Sequence, residues 1–294
     1  MTEAVAPATR AARPSAALRA ARFWTSLPLS GRVGLALVVF WVAAAIFGPF
    51  LAPHEVGAIV APDVFEGSSA AHLLGSDYLG RDVLSRVLSG ARYTVGLALA
   101  AAVLASTIGT ALALTAAVSG RWVDEALSRL MDAMISIPSK VLALVMVAAF
   151  GSSIPLLLLI AAATYVPGAY RIGRSLAVNL NEMDYVQAAR ARGEGRFYLA
   201  RVEVLPNMIN PMLADFGLRF VFVVLLLSGL SFLGLGVQPP NADLGSLVRE
   251  NTSGLGDGAL AVLMPALAIA TLTIGVNLLI DALPLRARRV QGEP

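Results

Sequence analysis

The sequence has 294 residues, of which 57% are hydrophobic and only 14% carry a formal charge, whereas about a quarter of the residues in an ordinary soluble domain are charged. This composition excludes an ordinary soluble globular protein and predicts an integral membrane protein whose apolar stretches lie in a lipid bilayer. The net charge is only +3, and no basic stripe with interleaved aromatic residues is present, so nucleic-acid binding is not predicted.

Stretches without charged residues predict six membrane-spanning helices. About 20 apolar residues cross a hydrocarbon core about 30 Å thick. The run from Val141 to Tyr170 is too long for one such helix, and the turn-forming residues 151–153 ahead of Pro155 divide it into two. The predicted spans are 33–53, 93–118, 131–150, 154–172, 212–236 and 259–281.

The arginines predict the orientation of the chain. Residues 1–28 contain several arginines and are expected to form a mobile cytoplasmic tail, and residues 285–294 are expected to form a second one. With both termini in the cytoplasm, the number of spans must be even. A cleaved signal peptide is the alternative for the N-terminus, but the apolar run continues well beyond Ala43–Ala45.

The first span and its external loop make up residues 29–92. Within this region, the segment from Leu79 to Arg92 is predicted to form an amphipathic helix on the outer surface, because Val83, Val87 and Leu88 share one helical face. Two readings remain open for this helix. It is either an interfacial anchor or a contact surface for a partner.

The cytoplasmic loop 179–207 is predicted to contain a capped helix. Asp184 suits an N-cap and Gln187 completes a capping box, so the helix should begin at Tyr185. Gly193 fits the left-handed position that ends such a helix.

A second helical stretch, residues 196–204, should follow and be stopped by Pro206. The charges of this helix, glycine and helix unit exclude it from lipid. It is either a solvated loop that sets topology or a rigid unit that docks into another protein.

Three ionisable residues lie at membrane depth. Asp215 and Arg219 are four residues apart in the fifth span, so they share a helical face and are expected to pair. Lys140 stands beside Pro138 near the cytoplasmic end of the third span. Because a charge in lipid is costly, each is expected either to be neutralised structurally or to line a translocation path.

Three motifs in this order resemble the dipeptide/oligopeptide/nickel permeases of ABC importers. The segment from His72 to Arg86 is similar to the family signature before the second span, and the segment from Ser231 to Pro240 is similar to the signature after the fifth. A third set resembles the EAA motif of the helix that docks into the ATPase, with Gln where the motif usually has Glu. Its residues are Gln187, Ala188, Ala189, Gly193, Leu205 and Pro206.

The resemblance implies a type I ABC importer permease, with the permease core at residues 93–284 and a cytoplasmic coupling helix-turn-helix. The implied partners are a second homologous permease, two ATP-binding subunits and an extracytoplasmic substrate-binding protein, in a bacterial inner membrane. ATP and magnesium would be used by the ATP-binding subunits, and no cofactor would be bound by this chain. Peptides are the implied cargo, although Leu227 stands where relatives commonly carry a Glu, and nickel or another solute stays open. The implied coupling residues are the EAA set together with Asp184.

The sequence lacks the motifs of several enzyme classes and of common metal sites. The single lysine, Lys140, is not part of a phosphate-binding loop, and neither an H-E-x-x-H nor a G-x-S-x-G pattern occurs. Cysteine is absent, and the two histidines are too few for a histidine-rich metal site, so no metal site is predicted. The chain is therefore not expected to be an enzyme by itself. An ion-gradient-driven secondary transporter is the main alternative, but it would need internal repeats that are not found.

Overall fold

The computed structural model describes the backbone of residues 24–291 and the side chains of residues 24–283. Most of the predicted N-terminal tail therefore lies outside the described residues. The backbone of the predicted C-terminal tail continues the last helix up to Gln291. The helices are α1 (Leu29–Leu51), α2 (Val83–Ser119), α3 (Arg121–Ile135), α4 (Ser139–Phe150), α5 (Ile154–Asn181), α6 (Asp184–Ala191), α7 (Arg196–Phe232), α8 (Leu244–Glu250) and α9 (Leu260–Gln291).

The described part of the chain has the composition and helix lengths of a multi-pass membrane protein. Five helices, α1, α2, α5, α7 and α9, are long and apolar enough to cross a bilayer, and α3 with α4 makes a sixth if the bent pair is one span. Large apolar side chains on α1 face outward, among them Phe40, Phe47 and Phe50. Such an exterior suits lipid, so the structure confirms the predicted all-α class. Five of the six predicted spans are single long helices, and the third corresponds to the bent pair α3 and α4.

The third span differs from its prediction as one continuous helix over residues 131–150. The helix is interrupted at residues 136–138, and the axes of α3 and α4 meet at an angle of 84°. Pro138 causes this break, because the residue before a proline is disfavoured in helical conformation. The 12 residues of α4 extend only about 18 Å at about 1.5 Å per residue. That length is shorter than a hydrocarbon core of about 30 Å.

Small residues bring the long helices close together. A Cβ atom added to Gly109 on α2 would lie 2.4 Å from the Cβ atom of Ala169 on α5. On α1, a Cβ atom added to Gly34 would lie 2.7 Å from the carbonyl oxygen of Gly275 on α9. Close backbone approach of this kind is how helices associate in lipid, where the hydrophobic effect between them is absent.

The predicted amphipathic helix from Leu79 to Arg92 is wrong as a separate element. The helix begins at Val83, where the Asp82 side chain accepts a hydrogen bond from the Ser85 backbone N–H, and it continues without a break to Ser119. Arg86 is only 4% exposed. Residues 83–92 therefore form the first turns of the long helix α2, and Arg86 is buried between Asp77 and Glu250.

Two arginines of this segment, Arg81 and Arg86, form an ion network with Asp77 and Glu250 that joins the loop between α1 and α2 to α8. One carboxylate oxygen of Asp77 lies 2.7 Å from Arg81 Nε and 2.7 Å from Arg86 Nη1. Arg86 Nη1 also lies 2.8 Å from a carboxylate oxygen of Glu250. Burial raises the pKa of Asp77, but the backbone N–H groups of Arg81 and Leu79 and the two guanidinium groups lower it more, so its pKa lies below the usual value.

Candidate coupling surface and membrane-depth ion pair

The short helix α6 is attached to the start of α7 by two buried side chains. Val186 and Ala189 are fully buried and belong to one cluster with Leu199, Val204 and Met208. They lie three positions apart, so they share one face of the helix. This packing holds α6 as a rigid unit against the helix that enters the predicted fifth span.

The start of α6 differs from the predicted capping box. Met183 is the N-cap, and Asp184 is the first helical residue, with no side-chain hydrogen bond to the helix N-terminus. Gln187 Nε2 instead donates to the carbonyl oxygen of Asn181 at 3.1 Å. Asp184 still stabilises the helix because a carboxylate in the first turn interacts favourably with the helix dipole.

The end of α6 agrees with its prediction. Gly193 has a φ of +85°, a left-handed conformation that favours glycine. The Glu194 N–H donates to the Ala189 carbonyl oxygen at 3.2 Å, which closes the turn. A Cβ atom at Gly193 would meet nothing within 4 Å, so backbone conformation alone demands glycine here.

Pro206 does not stop the following helix, and that prediction is wrong. The helix begins at Arg196, passes through a π-helical turn at Leu199–Val204 and continues to Phe232. Pro206 lies in the first turn of the α-helical part. A proline is tolerated in a first turn because the N–H that it lacks would have no helical partner there. Leu205 packs at the edge of the cluster that anchors α6.

The outer surface of this unit carries apolar and aromatic side chains. Phe197 is 74% exposed, and Met183, Tyr185 and Tyr198 are also exposed. Ala188 is exposed on α6. Exposed aromatic residues on a rigid unit are typical of protein-binding surfaces. We name Met183, Tyr185, Ala188, Phe197 and Tyr198 the coupling surface.

Ala189 does not belong to this surface, although the sequence predicted it as a docking contact. Its side chain is fully buried in the cluster that also contains Leu199 and Val204. A residue that faces the cluster under α6 is inaccessible to a partner in this conformation. The structural role of Ala189 is to let α6 approach α7 closely.

Replacing Ala189 with Asp should detach α6 from its cluster, because a carboxylate would be buried without a partner. We expect increased protease cleavage in residues 182–204. Ala188→Asp is the matched control for folding, because that side chain is exposed. Protease resistance of Ala189→Asp equal to that of Ala188→Asp would contradict the burial of this helix face.

Asp215 and Arg219 form the predicted ion pair. Arg219 Nε donates to Asp215 Oδ2 at 2.6 Å, and Arg219 Nη2 donates to Asp215 Oδ1 at 2.8 Å. The remaining nitrogen, Nη1, donates to the carbonyl oxygen of Tyr165 at 3.2 Å. The bidentate ion pair is buried, and the hydrogen bond from Arg219 to Tyr165 connects α7 to α5.

The same pair lines a cavity of about 660 Å³ between α5, α7 and the bend joining α3 to α4. Pro138, Ser139 and Arg171 are also in its wall. Lys140 is exposed and is not among the lining residues. The structure thus brings Asp215 and Arg219 together in the cavity wall, whereas Lys140 is not part of that wall.

Gly168 is a residue of this site that the sequence did not reveal. A Cβ atom at Gly168 would lie 2.6 Å from Arg219 Nη1. The spacing of Gly168 and Arg219 in the sequence does not predict their contact, because the contact depends on how α5 and α7 pack. Gly168 leaves room for the guanidinium group.

Gly168→Ala should displace the Arg219 guanidinium and destabilise the protein by about 1–3 kcal/mol, the usual range for overpacking. Thermal unfolding of the purified protein in detergent measures this loss. Gly96→Ala is a matched control, because Gly96 is also helical but a Cβ atom there would meet nothing within 4 Å. Equal unfolding temperatures for the two variants would contradict the close approach at Gly168.

Known proteins similar to this chain place it in a family. Residues 109–289 match the family described as "Binding-protein-dependent transport system inner membrane component". A di/tripeptide transport system permease protein of Pseudomonas aeruginosa is 33% identical over 272 residues, with 89% of each chain covered. A dipeptide transport system permease protein of Alkalihalophilus pseudofirmus is 32% identical over 251 residues, covering 85% of this chain and 83% of that protein. A dipeptide transport system permease protein of Haemophilus influenzae is 30% identical over 257 residues, covering 85% and 87%.

The family match at residues 109–289 includes the coupling surface and the ion pair of Asp215 with Arg219. These matches favour a permease over the secondary transporter that the sequence left open, and the permease is the non-catalytic part of a transport system. The chain belongs to the binding-protein-dependent ABC transport permeases and is a multi-pass inner membrane component of such a system.

Proposed function

We propose that this chain forms half of the translocation pathway of an ATP-driven peptide importer. The names of its relatives refer to dipeptide and di/tripeptide transport. The proposed complex contains a second, homologous permease, two cytoplasmic ATP-binding subunits and an external substrate-binding protein. ATP and magnesium act at the ATP-binding subunits, and this chain binds neither of them.

The observation that carries the proposal is the rigid unit with an exposed coupling surface. Val186 and Ala189 pack α6 against the start of α7, while the side chains of Ala188 and Phe197 are exposed and can contact a partner. A partner that pushes on α6 also pushes on α7, because Leu199 and Val204 belong to both the cluster and the base of that helix. We propose that an ATP-binding subunit is this partner.

Movement of α7 would reach the membrane interior through the buried ion pair. Asp215 and Arg219 lie on α7, and Arg219 is hydrogen-bonded to the Tyr165 carbonyl oxygen on α5. Closure of the ATP-binding subunits would therefore move α6, α7 and α5 together. In this proposal the cavity lined by Asp215 and Arg219 is part of the path, and both chain termini are cytoplasmic.

Purification of the tagged chain from its native membrane in mild detergent tests the composition of the complex. We expect an ATP-binding subunit and a second permease to co-purify and the complex to hydrolyse ATP. Recovery of the chain alone, without ATPase activity, under several gentle conditions would contradict the proposal.

The cargo is tested separately by uptake of a labelled dipeptide or tripeptide into cells. Deletion of the gene for this chain should abolish uptake that depends on the system, and the intact gene should restore it. Unchanged peptide uptake in the deletion strain, together with an intact complex in the parent strain, would contradict peptide as the cargo but leave the permease assignment in place.

A further inference from the structure

Two histidines and an aspartate meet where α1 ends and α2 begins. His54 follows α1, His72 lies in the loop, and Asp82 is the N-cap of α2. His54 Nδ1 lies 3.8 Å from Asp82 Oδ2, and His72 Nδ1 lies 3.7 Å from Asp82 Oδ1. One ligand atom from each residue falls within 4.8 Å of the other two. We name these three residues the His-Asp cluster.

The imidazole groups of the cluster have buried nitrogens without partners. His72 is only 8% exposed. Among the described residues, Nδ1 of His54 and Nδ1 of His72 are buried and make no hydrogen bond. Burying a polar nitrogen without a partner is unfavourable by about 1–3 kcal/mol. These two nitrogens and the Asp82 carboxylate together form a candidate set of metal ligands.

Hydrogen bonds fix the orientation of the Asp82 carboxylate, as they do for carboxylates that bind metal ions. Its Oδ2 atom accepts hydrogen bonds from the Ser85 backbone N–H at 2.8 Å and from Ser85 Oγ at 2.6 Å. Ser85 Oγ in turn accepts from the His54 backbone N–H at 3.0 Å. The other oxygen, Oδ1, faces His72. Outer hydrogen bonds of this kind fix the direction of metal ligands.

We propose that the His-Asp cluster binds one divalent transition-metal ion of the Zn²⁺ type. Two imidazole nitrogens and one carboxylate oxygen suit Zn²⁺, Co²⁺ or Ni²⁺, whereas Ca²⁺ and Mg²⁺ prefer oxygen ligands alone. Small side-chain rotations bring three atoms at these separations to about 2.0–2.2 Å from a common centre, which is the Zn²⁺ bond length for nitrogen and oxygen ligands. Because the His54 side chain is 30% exposed, water fills the remaining coordination position.

The ion would connect two distant parts of the chain. His54 and Asp82 are 28 positions apart, by the difference of their numbers, and the intervening loop contains little regular structure. Ser76 pairs with Asp82 in an isolated bridge, so the loop that carries the Asp77 ion network joins the cluster directly. The metal ion therefore holds the end of α1, the loop and the start of α2 together. This role is independent of the cargo and of the ATP-binding subunits.

Co²⁺ titration of the full chain in its detergent-purified complex tests the proposal. The affinity tag must lack histidine, because His54 and His72 are then the only histidines of the chain. We expect one Co²⁺ bound per chain, with visible absorption of a four- or five-coordinate site, and displacement by Zn²⁺. His54→Gln and His72→Gln should each weaken binding at least about 10-fold, since even outer partners of a ligand contribute about 10–100-fold.

Two controls separate metal binding from general effects. Asp63→Asn removes an exposed carboxylate from the same loop and should leave Co²⁺ affinity unchanged. In the unmutated chain, Zn²⁺ should protect both histidines from diethylpyrocarbonate, measured by mass spectrometry, so the test does not depend on folding of the variants. Absence of stoichiometric binding, binding that both histidine variants retain in full, or unprotected histidines would overturn the proposal.

Discussion

Replacing Asp77 with Asn should destabilise the protein by about 3–5 kcal/mol, the usual loss when one member of a buried ion pair is removed. Asp77 Oδ1 accepts from the Leu79 and Arg81 backbone N–H groups, and Oδ2 accepts from two arginines. An Asn would keep the first role but turn an amide NH₂ towards the guanidinium groups. Arg86 would then be balanced by Glu250 alone.

Thermal unfolding in detergent and the amount of assembled protein measure this effect. The control is again Asp63→Asn, whose carboxylate is exposed and should contribute little. An Asp77→Asn protein as stable as Asp63→Asn would contradict the buried network.

Acid should remove the same stabilisation in the unmutated protein. Since the pKa of folded Asp77 lies below its usual value, its contribution is fully present above the unfolded pKa of about 3.9. That contribution is lost as the pH falls through the lower pKa of the folded state. The Asp77→Asn protein should lack this part of the acid dependence.

Gly193→Val should abolish most transport while leaving the spans folded. Gly193 has a φ of +85°, and a β-branched residue is strongly disfavoured in that conformation. The turn after α6 would have to change, and with it the position of the coupling surface. We expect normal expression, a loss of uptake of at least about 10-fold and ATP hydrolysis no longer coupled to substrate, because about 1–3 kcal/mol of backbone strain corresponds to a change of about 5- to 150-fold in a population.

Gly195→Val is the matched control for this prediction. Gly195 is two positions away and equally open, since a Cβ atom there would meet nothing within 4 Å. Its φ of −74° and ψ of 160° are allowed for any residue. Equal transport by the two valine variants would contradict a role for the left-handed turn.

The sequence predicted the features that depend on neighbours along the chain. The left-handed turn at Gly193 and the pairing of Asp215 with Arg219 both follow from local geometry, and both are confirmed. The long apolar runs likewise predicted five spans that are single helices, while the third is a bent pair of helices. The departures at Asp184 and at Pro206 are shifts at helix ends, where a single residue or a π-helical turn changes which backbone group needs a partner.

The sequence did not predict the features that depend on packing between distant segments. The buried position of Arg86 requires Glu250, more than 160 positions away, and the cluster of His54 with His72 and Asp82 requires the loop to fold back on α1. Ala189 looked like a docking contact because its motif is known for docking. Only the packing of α6 on α7 reveals that this side chain points inward.

The central claim is that the coupling surface contacts an ATP-binding subunit. This chain has no cysteine, so within it a thiol-reactive photocrosslinker on an Ala188→Cys variant would label that position alone. Within the native complex, we predict a crosslinked product that contains the ATP-binding subunit. Val64→Cys, at an exposed position of the loop between α1 and α2, should give none. An assembled complex in which Ala188→Cys yields no such product, or in which Val64→Cys yields it instead, would contradict the account.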